Sequence, residues 1–132
     1  MPPKPDSKGA KKIVVNLTAQ EVTAYEGTAP FHTCECVSGD SSHPTPKGKF
    51  RIIRKHHPYT SRAYKVPMDY ALFFTNTGVA LHQYHGPAPW LLLRAGRAIT
   101  NAVGSCGCVR LQEADAKKLY GWATIGTTVE VK

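Results

Sequence analysis

The chain has 132 residues, 42% of them hydrophobic and 9% aromatic, which suits one domain with one core and argues against disorder. Eleven Gly and ten Pro demand many turns and favour a β-rich fold over a helical bundle. No apolar run, Trp90 to Leu93 included, is long enough to cross a membrane as a helix. The net charge of +8 gives solubility and a general attraction to polyanions, but basic residues are scattered. No basic helix and no ladder of aromatics beside Lys and Arg is present, so nucleic acid is not the expected partner.

Residues 1–11 are rich in Pro, Lys, Ser and Gly and read as a flexible basic tail, with a domain over 12–132. The tail has no apolar segment of the kind a signal peptide needs, so no export signal is visible in it. Ile13, Val15 and Leu17 alternate with polar or outward positions, as in a strand. Val22, Ala24 and Tyr25 suggest a second strand closing a hairpin, and Phe31 to Val37 a third. Ser38 to Lys49 is a loop, and Phe50 to Arg54 returns to an extended apolar pattern. His56 to Lys65 reads as loop, followed by strands at Tyr70–Thr75 and Gly78–Gln83 around a turn at Asn76. Pro87 to Ala95 starts a short helix. Leu111 to Trp122 has helical spacing, with Gly121 at its end, and Gly126 to Val131 is a last strand. The pattern is mainly β, about eight strands with one or two helices.

The chemistry concentrates in Gly104-Ser105-Cys106-Gly107-Cys108-Val109-Arg110. Two glycines allow a tight turn, and such a turn can aim successive N–H groups at one point, as an oxyanion hole requires. A thiol at its end, near a helix N-terminus and Arg110, would have its pKa drawn below the usual value near 8.5. A thiol nucleophile needs a base, and His82 and His85 lie upstream at the end of a strand.

These residues resemble the L,D-transpeptidase catalytic domain, also called YkuD-like. That family carries a His, a spacer, then Ser/Thr-His-Gly-Cys-apolar-Arg/Asn. Thr45-Pro46-Lys47-Gly48-Lys49-Phe50 is similar to its Thr-Pro-x-Gly-x-Phe loop, and Gly78-Val79-Ala80-Leu81-His82 to the strand that delivers its His. Asp115 to Tyr120 and Gly126 to Val129 are similar to its closing helix and strand. The resemblance implies a YkuD-like β-sandwich of mixed sheets with one or two short helices. It implies Cys108 as nucleophile, His82 as base, and the backbone N–H groups of Cys106, Gly107 and Cys108 as oxyanion hole. Arg110, Ser105 and Gln83 are the implied substrate-side residues, the Gln83 carbonyl orienting the imidazole. Cys106 stands where the family has His. The interval from His82 to Cys108 is longer than the family shows, so Pro87 to Thr100 is either an inserted segment or His85, followed by Gly86, is the base. Strand phase favours His82.

The implied partners are peptidoglycan stem peptides in the cell envelope, cleaved between meso-diaminopimelate and the terminal D-alanine. The same chemistry would serve a secreted effector acting on rival walls, with an immunity protein as its partner. A non-catalytic wall-binding module is the third reading, and the intact Cys108 argues against it. A monomer without a cofactor is expected. Cys34-x-Cys36 and Cys106-x-Cys108 are spaced too closely for a usual structural zinc site, so no metal is expected at these pairs. A disulfide from Cys106 to Cys34 or Cys36 is the more plausible pairing in an oxidising envelope. His32, His43, His56 and His57 read as solvated loop residues. Tyr59, Tyr84 and Trp90 are groove or core candidates, and Trp122 and Phe50 core.

Overall fold

The structure is a computed structural model that describes residues 10–39, 43–60, 67–86, 88–100 and 107–132, with only the helical backbone described for 96–100. The alternating valines and isoleucines of the N-terminal region form β1 (Lys11–Asn16) and β2 (Glu21–Glu26), an antiparallel hairpin in which Ile13 faces Ala24 and Val15 faces Val22. All four are fully buried. Strand β1 thus begins one residue inside the segment read as tail. The hairpin continues into β3 (Ala29–Glu35), and two later strands complete the sheet: β4 (Gly48–Arg51) and β9 (Thr128–Val131). The order is β3-β2-β1-β9-β4, with β9 parallel to β1 and antiparallel to β4. The last strand of the chain therefore lies beside the first.

The second sheet holds β5 (Arg54–His56), β6 (Ala71–Phe73), β7 (Ala80–Gln83) and β8 (Val109–Leu111), in that order. Strands β7 and β8 run parallel, with Leu81 beside Val109 and His82 beside Arg110. Helix α1 (Trp90–Thr100) connects these two parallel strands, and α2 (Glu113–Trp122) follows β8. Among the described residues there are nine strands in two mixed sheets and two helices, as the resemblance implies.

Three sequence expectations are corrected. The extended run Phe50 to Arg54 is not one strand. The Ile52 N–H donates to Thr127 of the first sheet's side and the next N–H, that of Ile53, to Phe73 of the second, so the chain turns a corner between sheets there. Leu111 does not open the helix: it ends β8, and α2 starts at Glu113 after Gln112 as N-cap. The helix runs through Gly121 to Trp122, and the N–H of Ala123 closes it on the Leu119 carbonyl. His32 and His56 belong to β3 and β5 rather than to loops.

One apolar cluster joins the sheets. Ile13, Val15, Val129 and Val131 from the first meet Leu72, Leu81, Val109 and Leu111 from the second, with Ala116 and Leu119 of α2. Trp122 stacks on Phe31 with ring centroids 5.0 Å apart, tying α2 to β3, and Phe50 and Phe74 pack together at 5.4 Å. Leu119 is fully buried in this cluster. Leu119→Ala should cost about 2–5 kcal/mol, seen as a lower urea midpoint at unchanged slope, because the helix closes only part of the space left.

Candidate active site

The second sheet has two unlike faces because strand side chains alternate. Leu72, Leu81, Val109 and Leu111 point into the main core. Ala71, Phe73, Ala80 and Cys108 point the other way, into a smaller cluster with Met68 and Tyr59. His82 is two residues beyond Ala80, and Arg110 two beyond Cys108, so both belong to this second face. The register sets His82 beside Arg110, which makes Cys108 and His82 diagonal neighbours, with Cα atoms about 8 Å apart from strand spacing and rise. Cys108, His82 and Arg110 are all buried, at 0%, 5% and 8% exposure. The Cys108 thiol is directed at the Gly78 carbonyl, 3.7 Å away.

The His82 ring is held through Nδ1, 2.8 Å from the carbonyl oxygen of Gln83. A carbonyl only accepts, so Nδ1 carries the proton and Nε2 keeps its lone pair. The imidazole pKa is lowered from 6.5 to about 4, chiefly by burial. The Gln83 hydrogen bond and Asp69 act upward, while Arg110 and His85 act downward. His82 is therefore neutral at neutral pH, the protonation state of a base.

This shift has a consequence for stability. An unfolded His takes up its proton near pH 6.5, whereas folded His82 does so only near 4. Between these values the unfolded chain binds more protons, so stability falls as pH falls from 6.5 to 4 and carries no such penalty above 6.5. The loss due to this group should total about 3 kcal/mol. Urea unfolding of wild type and His82→Gln at pH 7 and pH 4 should show the variant losing less stability by about that amount, and equal losses would refute the assignment.

The turn before Cys108 is fixed by a residue whose role the sequence did not disclose. Gly107 has φ +93°, a conformation that favours Gly. Its carbonyl accepts a 2.6 Å hydrogen bond from the buried Thr45 hydroxyl, whose oxygen in turn accepts the N–H of Gly39 at 2.9 Å. Gly39 is equally constrained: a Cβ there would lie 2.0 Å from the His43 carbonyl oxygen and 2.8 Å from the Gly107 Cα. In a planar trans peptide the C=O and the following N–H point in opposite directions. Anchoring the Gly107 carbonyl on Thr45 thus turns the Cys108 N–H away from that loop. The Thr-Pro pair at 45–46 was the visible signal, but nothing local tied it to Gly107. Ser105 and Cys106, together with the disulfide considered for Cys106, lie outside the described residues.

Arg110 is gripped from the first sheet's side. Its backbone exchanges hydrogen bonds with Val37 at 2.9 and 3.0 Å, and its Nη2 lies 3.4 Å from the Ser38 carbonyl. Gln20 braces Ser38 in turn, accepting its N–H at 3.0 Å and donating to its hydroxyl at 2.8 Å. His85 sits past the end of β7, with Nε2 3.0 Å from Asp69 Oδ2. The other Asp69 oxygen accepts the Tyr59 N–H at 3.0 Å. Helix α1 is anchored by Glu35, which takes Trp90 Nε1 at 2.8 Å and Arg94 at 2.9 Å. Trp90 is thereby committed to β3, Tyr84 donates to the Ala88 carbonyl at 2.9 Å, and Tyr59 packs beside the Cys108 cluster.

The family model described as YkuD, the L,D-transpeptidase catalytic domain, matches residues 10–131. Among solved structures, an L,D-transpeptidase from Stackebrandtia nassauensis is 31% identical with a TM-score of 0.78, covering 95% of this chain and 56% of that one. A mutant L,D-transpeptidase from Enterococcus faecium is 25% identical with a TM-score of 0.79, covering 94% and 50%. LdtMt1 in complex with imipenem, at 24% identity and a TM-score of 0.78, shares the fold over 93% of this chain and 59% of that one. The chain thus spans between half and three fifths of the length of these relatives. No match was found among curated proteins. By the match across nearly its whole length and by the identity to a solved member, this chain belongs to the L,D-transpeptidase catalytic-domain family.

Proposed function

We propose that Cys108 and His82 perform acyl transfer on peptidoglycan stem peptides, at the bond between meso-diaminopimelate and the terminal D-alanine. The observation that carries this reading is the neutral, tautomer-fixed His82 on the same sheet face as Cys108. His82 Nε2 takes the thiol proton, and the Cys108 thiolate attacks the carbonyl carbon. The backbone N–H groups at Gly107 and Cys108 receive the developing oxyanion, whose stabilisation is worth on the order of a hundredfold or more per donor. As the intermediate collapses, the C–N bond breaks and D-alanine leaves with the proton from His82. An amine then attacks the thioester, loses its proton to His82 and releases the Cys108 thiolate, which takes that proton back. An amine from a second stem gives a 3-3 cross-link, a D-amino acid gives exchange, and water gives carboxypeptidase action. Because Cys108 is fully covered, neighbouring atoms must move before a carbonyl reaches its sulfur.

The reading places the protein's work at the cell wall, where a +8 chain is drawn to anionic polymer. No helix among the described residues is long and apolar enough to cross a membrane. The test is incubation with purified muropeptides and mass spectrometry. Wild type should release D-alanine or form dimers, Cys108→Ala should do neither, and imipenem should add its mass to wild type alone. Absence of both turnover and adduct in the wild type would overturn the proposal.

A further inference from the structure

A second cluster of chemically capable side chains lies away from Cys108, at the seam between β3 and the first turn of α2. His32 and Cys34 are two apart on β3 and share one face. Asp115 meets them from α2, with its Oδ1 2.8 Å from His32 Nε2. One ligand atom from each of the three residues lies within 4.8 Å of the others. Cys34 belongs to the main core cluster, whereas Cys108 belongs to the smaller one on the far face of the second sheet. The two sites are therefore separate.

We propose that His32 Nε2, Cys34 Sγ and Asp115 Oδ1 form a site for a divalent transition ion of the zinc type, with water as fourth ligand. The donor set selects the ion. One nitrogen, one sulfur and one oxygen suit zinc or cobalt, while a thiol is a poor ligand for magnesium or calcium. Tetrahedral zinc with ordinary bond lengths would set these donors about 3.3–3.6 Å apart. The His32–Asp115 pair at 2.8 Å needs only a small opening to admit the ion. Charge agrees as well: a thiolate and a carboxylate together offset a dication. Binding sends the Cys34 thiol proton to solvent. His32 and Asp115 side chains, at 19% and 20% exposure, offer the way in. The close Cys-x-Cys spacing that argued against zinc is irrelevant here, because only one cysteine is used, with His32 on the same strand face and Asp115 from a distant helix.

An ion at this seam would clamp β3 to α2. Beyond its end β3 leads into Val37 and Ser38, which hold Arg110, and α2 follows β8 directly. One ligand set would thus tie the strand leading to the Arg110-holding segment to the helix that follows β8.

The experiment uses the 132-residue chain carrying Cys108→Ala under reducing conditions, so that the Cys108 thiol contributes nothing. Cobalt should produce a thiolate-to-metal absorption band at one equivalent, and zinc should displace it. Zinc at a hundredfold excess over Kd should raise Tm by roughly 5–10 °C. Adding Cys34→Ser should abolish the band, and adding Asp115→Asn should weaken binding at least tenfold, with circular dichroism confirming the metal-free fold of each. If Cys34→Ser does not fold, the Asp115→Asn titration decides. No band at one equivalent, a band retained in folded Cys34→Ser, or unchanged affinity in Asp115→Asn would overturn the site. None of these readouts depends on turnover, so failure here is distinct from failure of the peptidoglycan reading.

Discussion

His82→Ala should lower kcat/KM on muropeptides by about 10²–10⁴, the range that a positioned general base contributes. His85→Ala should stay within about tenfold of wild type. The difference follows from how each ring is held. His82 donates through Nδ1 to the Gln83 carbonyl and stays neutral, keeping Nε2 as a proton acceptor on the face that carries Cys108. His85 lies beyond β7 and gives its Nε2 to the carboxylate of Asp69. That contact commits the ring nitrogen to Asp69 rather than to Cys108. The measurement is initial rate against stem tetrapeptide, with circular dichroism of both variants. Full activity in His82→Ala together with loss in His85→Ala would reverse the assignment.

Thr45→Val should be nearly as damaging to turnover and should also weaken the fold. The substitution keeps the shape and removes one oxygen. That oxygen bonds two buried backbone groups, the Gly39 N–H and the Gly107 carbonyl. Leaving each without its partner costs about 1–3 kcal/mol, so unfolding should become easier by about 2–6 kcal/mol. Freed from Thr45, the Gly107 peptide can rotate, and the Cys108 N–H no longer has a fixed direction. Loss of one aimed donor predicts a fall in kcat of about 10²-fold. Thr45→Ser restores the hydroxyl and should recover most of both losses. A Thr45→Val enzyme of normal rate and stability would remove Thr45 from the positioning of the turn.

The site was legible to different depths. His82 was favoured over His85 because Gly78 to His82 holds strand phase, and its side chain does share the Ala80 and Cys108 face. The Thr45 loop was visible as a resemblance, yet the hydroxyl's two partners lie 6 and 62 residues away in sequence. Gly39 gave no sign at all, since its constraint is a close approach to His43 and Gly107 rather than a turn of its own. His32 lay inside the expected strand Phe31 to Val37 yet was read as a solvated residue, because its partner Asp115 is on another element.

The sequence by itself determined which residues face inward along each strand. Ile13 and Val15, Val22 and Ala24, Val129 and Val131 repeat with period two, a local property that needs no knowledge of neighbours. It also carried the family, because several short motifs stand in one order. Only the tertiary structure decided which strands lie side by side. Three residues, Val109 to Leu111, are too few to announce a strand, and β8 exists because β7 offers it a parallel edge across the connection through α1. The run from Phe50 to Arg54 divides because its two halves find hydrogen bonds in different sheets. Periodicity assigns a side chain to a face. Distance between chemically active residues far apart in sequence is set by packing and register, and that is what brings Cys108, His82 and Arg110 onto one face.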